Sequence, residues 1–209
     1  MAKRPVKRRR SSYHHGNLSR ALVEAALRLV ETQGAEALTL RGAARLAGVS
    51  QAAPYRHFSD KDALLAAVAE EGFRHMTQAM RQASAQHEGD PLGRFRALGQ
   101  AYLEFATKHP AHYRVMFGRA PASRGAYPTL EAASGETFGL LVEAIRDGQR
   151  SGIVRPGNPE DLALATWSAS HGLSSLAVDG QLSRRMGETP FEALAQAVMA
   201  NIFLGLGVR

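Results

Sequence analysis

The sequence predicts an all-α protein of about nine helices, and three observations support this fold class. Nearly every segment of the 209-residue chain carries apolar residues three to four positions apart, the spacing of an amphipathic helix. No run alternates between apolar and polar residues as a half-buried strand does. Helix-start signals also recur, because Asp90-Pro91 and Asn158-Pro159 each place a capping side chain before a proline suited to the first helical turn.

Four helices are predicted in the first part of the chain, over residues 18–33, 40–47, 51–58 and from 59 onward. Thr39 and Ser50 are the predicted caps of the two short helices. Ser59 and Asp62 form a predicted capping box at the start of the long one. Between the two short helices, Gly48-Val49 predicts a turn.

Five further helices are predicted over residues 91–108, 111–117, 130–152, 158–178 and 190–206, with a loop at 119–128. The last helix is predicted to begin with a capping box of Thr189 and Glu192. The last two helices are apolar on more than one side, so both faces must be buried. In a chain of this size we expect the second face to meet another subunit in a two-fold dimer. The predicted interface residues are Leu162, Ala165, Ala169, Leu173, Phe191, Leu194, Val198 and Ile202.

The charge is concentrated at the N-terminal end. The formal net charge is +7; the first 62 residues carry 12 Lys/Arg and 5 Asp/Glu, whereas residues 63–209 carry 14 of each. This asymmetry indicates a nucleic-acid or acidic-membrane partner, although a basic tail that aids solubility is the alternative. The absence of cysteine excludes disulfides, thiolate zinc sites and cysteine nucleophiles. No apolar run approaches the ~18 residues of a spanning helix, and the basic N-terminus lacks the apolar region of a signal peptide.

Residues 39–58 have the pattern of a helix-turn-helix. The second helix of this motif enters the DNA major groove while the first lies across the backbone. Side chains at helix starts are suited to phosphates, and polar side chains of the second helix to base edges; the tyrosine ring is expected in the small core with its hydroxyl on a phosphate. The predicted DNA contacts are Thr39, Arg41, Ser50, Gln51, Ala52, Tyr55, Arg56, His57 and Lys61. The basic arm at Arg8, Arg9 and Arg10 either enters the minor groove or contacts phosphates non-specifically.

Two stretches resemble the N-terminal domain of TetR-type (TetR/AcrR) transcriptional regulators: Thr39-x-Arg41-x-x-Ala44-x-x-Ala47-Gly48-Val49-Ser50 and Tyr55-x-His57-Phe58-x-x-Lys61-x-x-Leu64-Leu65. Trp167-x-x-x-His171-Gly172 is similar to a motif of one subgroup. The resemblance implies a homodimer with a small-molecule pocket in its C-terminal domain, released from operator DNA by its ligand. It also implies a basic arm (1–17), a helix-turn-helix domain (18–65) and a ligand-binding and dimerisation domain (66–209), in a bacterial cytoplasmic protein that is nucleoid-associated when bound.

One residue departs from the family pattern. Pro54 falls near the fourth residue of the predicted recognition helix, where it removes one early hydrogen bond and disfavours helical geometry at Ala53. We therefore expect a short or tilted recognition helix.

The pocket is predicted to be mainly apolar, with few polar groups. Its candidate residues are Phe95, Tyr102, Phe105, Tyr113, Phe117, Phe138, Trp167 and His171, with membership of an ordinary core as the alternative for each. No metal site and no cofactor are predicted, since His109-x-x-His112 lacks a nearby carboxylate in sequence.

The sequence thus predicts a ligand-responsive DNA-binding repressor with a small hydrophobic effector, and not an enzyme. An activator or a ligand-independent regulator of the same fold is the alternative. An enzyme carrying a helix-turn-helix is disfavoured, because the sequence has no nucleophile elbow, phosphate-binding glycine loop or His-Glu-x-x-His motif.

Overall fold

The computed structural model describes residues 15–118, 125–187 and 189–207, and over these ranges the chain has nine α-helices, two short 3-10 helices and no strand. The all-α prediction is confirmed. The helices are α1 (His15–Gln33), α2 (Leu40–Leu46), α3 (Lys61–Ala85), α4 (Pro91–Lys108), α5 (Pro110–Phe117), α6 (Pro128–Arg150), α7 (Pro159–Val178), α8 (Gln181–Met186) and α9 (Phe191–Leu206). The chain divides into two compact units, residues 1–64 and 65–209, and α3 runs from the first into the second.

The first unit is built on α1, which packs against α2 and a 3-10 turn at Ala35–Ala37. Leu22, Leu38 and Leu64 are fully buried and form the centre of its core. Thr39 caps α2 as predicted, since its Oγ1 accepts a hydrogen bond from the Gly42 backbone N–H at 2.9 Å.

The predicted recognition helix over residues 51–58 is not an α-helix. Residues 51–53 form a turn, and Pro54–Arg56 form a single 3-10 helix. Pro54 has no N–H with which to continue an α-helical ladder, so the Ser50 carbonyl accepts from the Ala53 N–H at 3.0 Å instead. Ser50 is therefore not the side-chain cap that was predicted.

Three other helix starts differ from the prediction. Asp60, rather than the Ser59–Asp62 box, caps α3, because its Oδ1 accepts from the Ala63 N–H at 2.8 Å. The predicted Thr189 cap is also wrong, since the Thr189 hydroxyl donates to the Met186 carbonyl. The helix α6 begins at Pro128, inside the predicted loop, and α8 was not predicted.

The second unit is a helical bundle in which α4, α6 and α7 pack against one another and α9 packs on α7 and α4. Asp90 and Asn158 cap α4 and α7 as predicted. Met76, Leu103 and Ile145 lie at the centre of the core and have no exposed surface or almost none. One polar pair is buried among them: the Thr77 and Thr137 hydroxyls are 2.7 Å apart and join α3 to α6.

Among the helices of the described ranges, none is both long and apolar enough to span a lipid bilayer.

Candidate nucleic-acid interface and ligand cavity

The turn and 3-10 helix over residues 51–56 present an exposed polar surface on the first unit. Gln51, Ala52 and Arg56 are exposed, and 54% of the surface of Tyr55 is accessible. The prediction that the Tyr55 ring lies in the core is wrong; the buried residue of this 3-10 helix is Pro54. The polar groups of Gln51, Tyr55 and Arg56 therefore lie outside the core, where base edges or phosphates can reach them, whereas Ala52 offers only a methyl group.

The other predicted DNA contacts flank this surface. Thr39 and Arg41 at the start of α2 are exposed, as is Ser50. His57 is half-buried beside Phe58, with ring centroids 6.4 Å apart. Lys61 has a structural partner that the sequence did not suggest, because its Nζ donates to the Glu36 carbonyl at 2.8 Å. An ammonium group has three donors, so Lys61 can hold this carbonyl and still meet a phosphate. The predicted arm at Arg8, Arg9 and Arg10 lies outside the described residues.

The second unit contains an apolar cavity of about 370 Å³ among α3, α4, α6, α7 and α9 and the end of α5. Its volume lies within the range of ordinary small-molecule sites. Five predicted pocket residues line it: Phe95, Tyr102, Phe117, Phe138 and Trp167. Sequence reasoning missed further lining residues that look like ordinary core or surface positions: Phe73, Met80, Leu98, Gly99, Ser134, Gly135, Thr137, Leu141, Thr166, Ser170 and Met199. No charged side chain lines the cavity within the described ranges.

The polar residues at one end of the cavity form a hydrogen-bonded chain. Trp167 Nε1 donates to the Tyr102 hydroxyl at 3.3 Å, which lies 3.2 Å from the Tyr113 hydroxyl. Tyr113 in turn lies 2.6 Å from His171 Nδ1. One arrangement gives each group a partner: Trp167 donates to Tyr102, Tyr102 to Tyr113, and Tyr113 to Nδ1. His171 Nε2 then carries the ring proton toward Ser175 Oγ, 3.5 Å away.

Burial keeps the hydrogen-bonded groups of Tyr102, Tyr113 and His171 uncharged. Desolvation, and then the neighbouring Tyr113, raise the pKa of Tyr102 far above its ordinary value. Desolvation also raises the pKa of Tyr113 and lowers the pKa of His171. At neutral pH the phenols keep their protons and the imidazole is neutral, which is the state that the hydrogen-bond directions require.

Three predicted pocket residues do not line the cavity. Tyr113 and His171 stand behind its wall and hold Tyr102 in place. Phe105 is buried elsewhere, with its ring 4.8 Å from that of His109. Phe105 follows the same helical stripe as Tyr102, but it faces α5 rather than the cavity.

The predicted interface residues divide between core and surface. Leu162 and Leu173 are buried in the chain's own core and have almost no surface left for a partner. The four positions on α9 pack against that same core: Phe191, Leu194, Val198 and Ile202. Ala165 and Ala169 are exposed. Helices α7 and α9 are apolar on two sides, as predicted. On α9, however, the four residues predicted for the dimer interface lie on the side that packs against the protein's own core.

Comparisons with known proteins agree with this architecture. Residues 22–68 match the family described as "Bacterial regulatory proteins, tetR family", and residues 95–202 match "Tetracyclin repressor-like, C-terminal domain". A protein of unknown function from Rhodococcus sp. RHA1 is 35% identical, with a TM-score of 0.81 over 95% of this chain and 100% of that chain.

Two further relatives are more distant. The structure of AibR in complex with isovaleryl coenzyme A and operator DNA shares the fold, with 20% identity and a TM-score of 0.62 over 79% of this chain and 96% of that chain. The nucleoid occlusion factor SlmA of Marinobacter nauticus is 28% identical over 138 residues, which are 66% of this chain and 69% of that protein. In the present protein, the two family domains match the N-terminal helices and most of the second unit. This chain therefore belongs to the TetR family of bacterial transcription regulators.

Proposed function

We propose that this chain is a ligand-responsive repressor, which a small, uncharged and largely apolar effector releases from operator DNA. The observation that carries the proposal is the apolar cavity of about 370 Å³ in the second unit, whose described lining includes no charged side chain. An effector that binds one of two conformations better would shift the population between a DNA-binding and a non-binding state. The family's members are regulators, a class that generally has no enzymatic activity, and we propose none here.

The DNA-binding role is proposed for residues 18–65, with the basic arm 1–17 beside them and residues 66–209 holding the effector and the dimer contacts. In the first unit, the exposed Gln51, Tyr55 and Arg56 are the proposed base and phosphate contacts. AibR, of the same fold, has been solved with both operator DNA and isovaleryl coenzyme A, so the fold can accommodate two such partners.

The proposed effector chemistry follows from the donors that the cavity leaves free. The hydrogen-bonded chain from Trp167 to His171 uses its own donors. Ser170 differs: among the described residues its hydroxyl donates only to Met199 Sδ at 4.0 Å, and a thioether is a weak acceptor. A charged ligand would lose its hydration in this cavity without gaining an ion pair. We therefore propose an effector with an apolar or aromatic body and one acceptor atom near Ser170.

The first test is a fluorescence-anisotropy titration of the purified full-length protein against DNA from upstream of its own gene, with unrelated DNA as control. We expect the upstream fragment to bind about a thousandfold more tightly or better. Repeating the titration at several salt concentrations counts the phosphate contacts, since each steepens the log–log slope by about 0.9. Equal affinity for both fragments would contradict autoregulation, and weak binding to both would contradict the DNA-binding role.

The second test screens the specific complex against uncharged apolar compounds and their charged analogues. We expect some uncharged compounds to release the DNA and their charged analogues to fail. Ser170→Ala should weaken the binding of compounds that carry an acceptor atom and leave the binding of pure hydrocarbons unchanged. Ser168→Ala, at an exposed position of the same helix, should change the binding of neither class. If no compound of either class lowers operator affinity, the protein is a ligand-independent regulator and the cavity is only a packing defect.

A further inference from the structure

Helices α3 and α5 bring together a carboxylate and two imidazoles in the second unit. Glu71 and His75 are four residues apart on α3 and therefore share a helix face. His112 of α5 completes the group, with its Nε2 3.9 Å from Glu71 Oε1. Each of the three residues offers one ligand atom, and these atoms all lie within 4.8 Å of one another. The group is separate from the apolar cavity, which none of the three lines.

The buried member of this group has an unused ligand atom. The His112 side chain is 9% exposed, and its Nε2 has no hydrogen-bond partner among the residues that the structure describes. The 3.9 Å separation from Glu71 is too long for a hydrogen bond. Buried polar atoms are almost always satisfied, so an orphaned imidazole nitrogen beside a carboxylate and a second imidazole requires an explanation.

The local backbone is arranged to seat His112 against α3. Gly72 follows Glu71, and a Cβ atom there would lie 2.6 Å from Met116 Sδ and 3.3 Å from His112 Cδ2. Any larger residue at this position would press on α5. The glycine therefore allows the His112 ring to approach the helix that carries the other two ligands.

We propose that Glu71, His75 and His112 bind one divalent transition-metal ion of the zinc class, with a fourth position open to water. Two imidazoles and one carboxylate suit Zn²⁺ and its borderline-soft neighbours, whereas Mg²⁺ and Ca²⁺ prefer oxygen ligands alone. A tetrahedral zinc site places its ligand atoms about 3.3 Å apart, so the group needs to contract. Exposed His75 and half-buried Glu71 can rotate inward while His112 stays fixed.

The state of His112 is compatible with this role. Burial, and then the charges of His75 and His109, lower the pKa of His112 to about 4. Its imidazole is neutral at pH 7, and a neutral imidazole is the form that ligates a metal. A bound ion would tie α3 to α5 at the residue next to Tyr113 of the hydrogen-bonded chain.

The test is a Co²⁺ titration of the full-length, tag-free protein after removal of metal by a chelator. A His14→Gln/His15→Gln background removes the two adjacent histidines near the N-terminus as alternative ligands. We expect one Co²⁺ per chain, the visible absorption bands of a tetrahedral site, and displacement by Zn²⁺. Glu71→Gln, His75→Gln and His112→Gln should each weaken Co²⁺ binding about tenfold or more.

His109→Gln is the matched control. The His109 ring centroid lies 6.1 Å from that of His112, but this histidine is exposed and outside the ligand group. We expect this variant to bind Co²⁺ like the parent protein. Absence of the absorption bands, or unchanged binding in the three ligand variants, would overturn the proposal. Since Glu71 and His75 are surface positions, their variants still decide the question if His112→Gln fails to fold, which circular dichroism reports.

Discussion

At the scale of single residues, the hydrogen-bonded groups at the end of the cavity show how burial makes the partners of a hydroxyl matter for stability. Tyr113 is 3% exposed, and its hydroxyl serves both His171 Nδ1 and Tyr102. Its removal deletes the shortest hydrogen bond of this chain, and the Tyr102 hydroxyl, 3.1 Å from the same nitrogen, is the donor that remains for His171 Nδ1. Tyr55 carries the same hydroxyl on an exposed ring, where water replaces any partner.

We expect Tyr113→Phe to lower the free energy of unfolding by about 0.5–1.5 kcal/mol, because a buried hydroxyl and its hydrogen bonds to His171 and Tyr102 are lost. Tyr55→Phe should change it by less than about 0.5 kcal/mol. Urea denaturation of both variants measures the two values. Equal effects would show that the chain of hydrogen bonds contributes nothing to stability.

The lowered pKa of His171 makes stability depend on pH. The unfolded chain takes up a proton near the ordinary histidine pKa of 6.5, whereas desolvation in the folded chain opposes protonation at His171. The contribution of His171 to stability is therefore fully present above that value and falls as the pH drops below it.

We expect the melting temperature of the chelator-treated protein to decrease between pH 7.5 and 5.5. His171→Gln should reduce this dependence without abolishing it, because the pKa of His112 is also lowered, to about 4. An unchanged slope in His171→Gln would contradict this account.

At the scale of elements, the sequence predicts most helices well and the recognition segment poorly. Long amphipathic stripes and Asp or Asn caps before proline locate α4 and α7 to within a residue, since periodicity and capping act locally. The helix predicted over residues 51–58 is wrong because one proline interrupts an otherwise helical pattern. Whether the segment forms an α-helix or a 3-10 turn depends on whether Pro54 is buried, which the sequence alone does not tell. The cavity is predictable only in part: the stripe holding Tyr102 and Phe105 is visible in sequence, but which neighbour each meets is set by tertiary packing.

We expect Pro54→Ala to restore α-helical character over residues 51–58, because it returns the missing donor to the Ser50 carbonyl. Cα chemical shifts of Tyr55 and Arg56 should move toward α-helical values. Pro91→Ala is the matched control, since Pro91 occupies the first turn of α4, where no hydrogen bond is lost. Unchanged shifts in Pro54→Ala would mean that packing, and not the proline, imposes the 3-10 turn.

Two glycines inside α6 differ in how closely other residues approach them. A Cβ at Gly148 would lie 2.5 Å from Val154 Cγ2, whereas a Cβ at Gly139 meets nothing within 4 Å. We expect Gly139→Ala to raise the free energy of unfolding by about 0.5–1 kcal/mol through helix propensity, and Gly148→Ala to lower it by about 1–3 kcal/mol through overpacking. Urea denaturation measures the sign of the change in the free energy of unfolding for each variant. The same sign for both variants would refute the close approach of Val154 to Gly148.

At the scale of the whole molecule, the outer faces of α7 and α9 are the surfaces that one chain leaves uncovered. Leu164 is 50% exposed and Leu204 is 73% exposed. Small residues accompany them at helical spacing: Ala165 and Ala169 on α7, and Ala193, Ala197 and Ala200 on α9. We propose that this apolar surface is the dimer interface, because a two-fold dimer buries the same patch on both copies.

We expect Leu164→Glu and Leu204→Glu to shift the protein from dimer to monomer, because each places a charge in the proposed interface. Leu46→Glu is the matched control, with 47% of its surface exposed in the first unit. Sedimentation equilibrium measures the association constant of each variant. A dimer that survives both substitutions would place the interface elsewhere.

The short segment that we propose to contact DNA also limits how many base pairs one subunit can specify. Selecting one site among about 10⁶ or more competitors requires about ten fully specified base pairs. Of the proposed contacts, the turn and the 3-10 helix expose Gln51, Tyr55 and Arg56, and we expect these few side chains of one copy to specify fewer base pairs than that. Two copies reading a palindrome need about five base pairs each. We therefore expect the number of DNA sites that the protein occupies to depend on how strictly these proposed contacts reject a mismatched base.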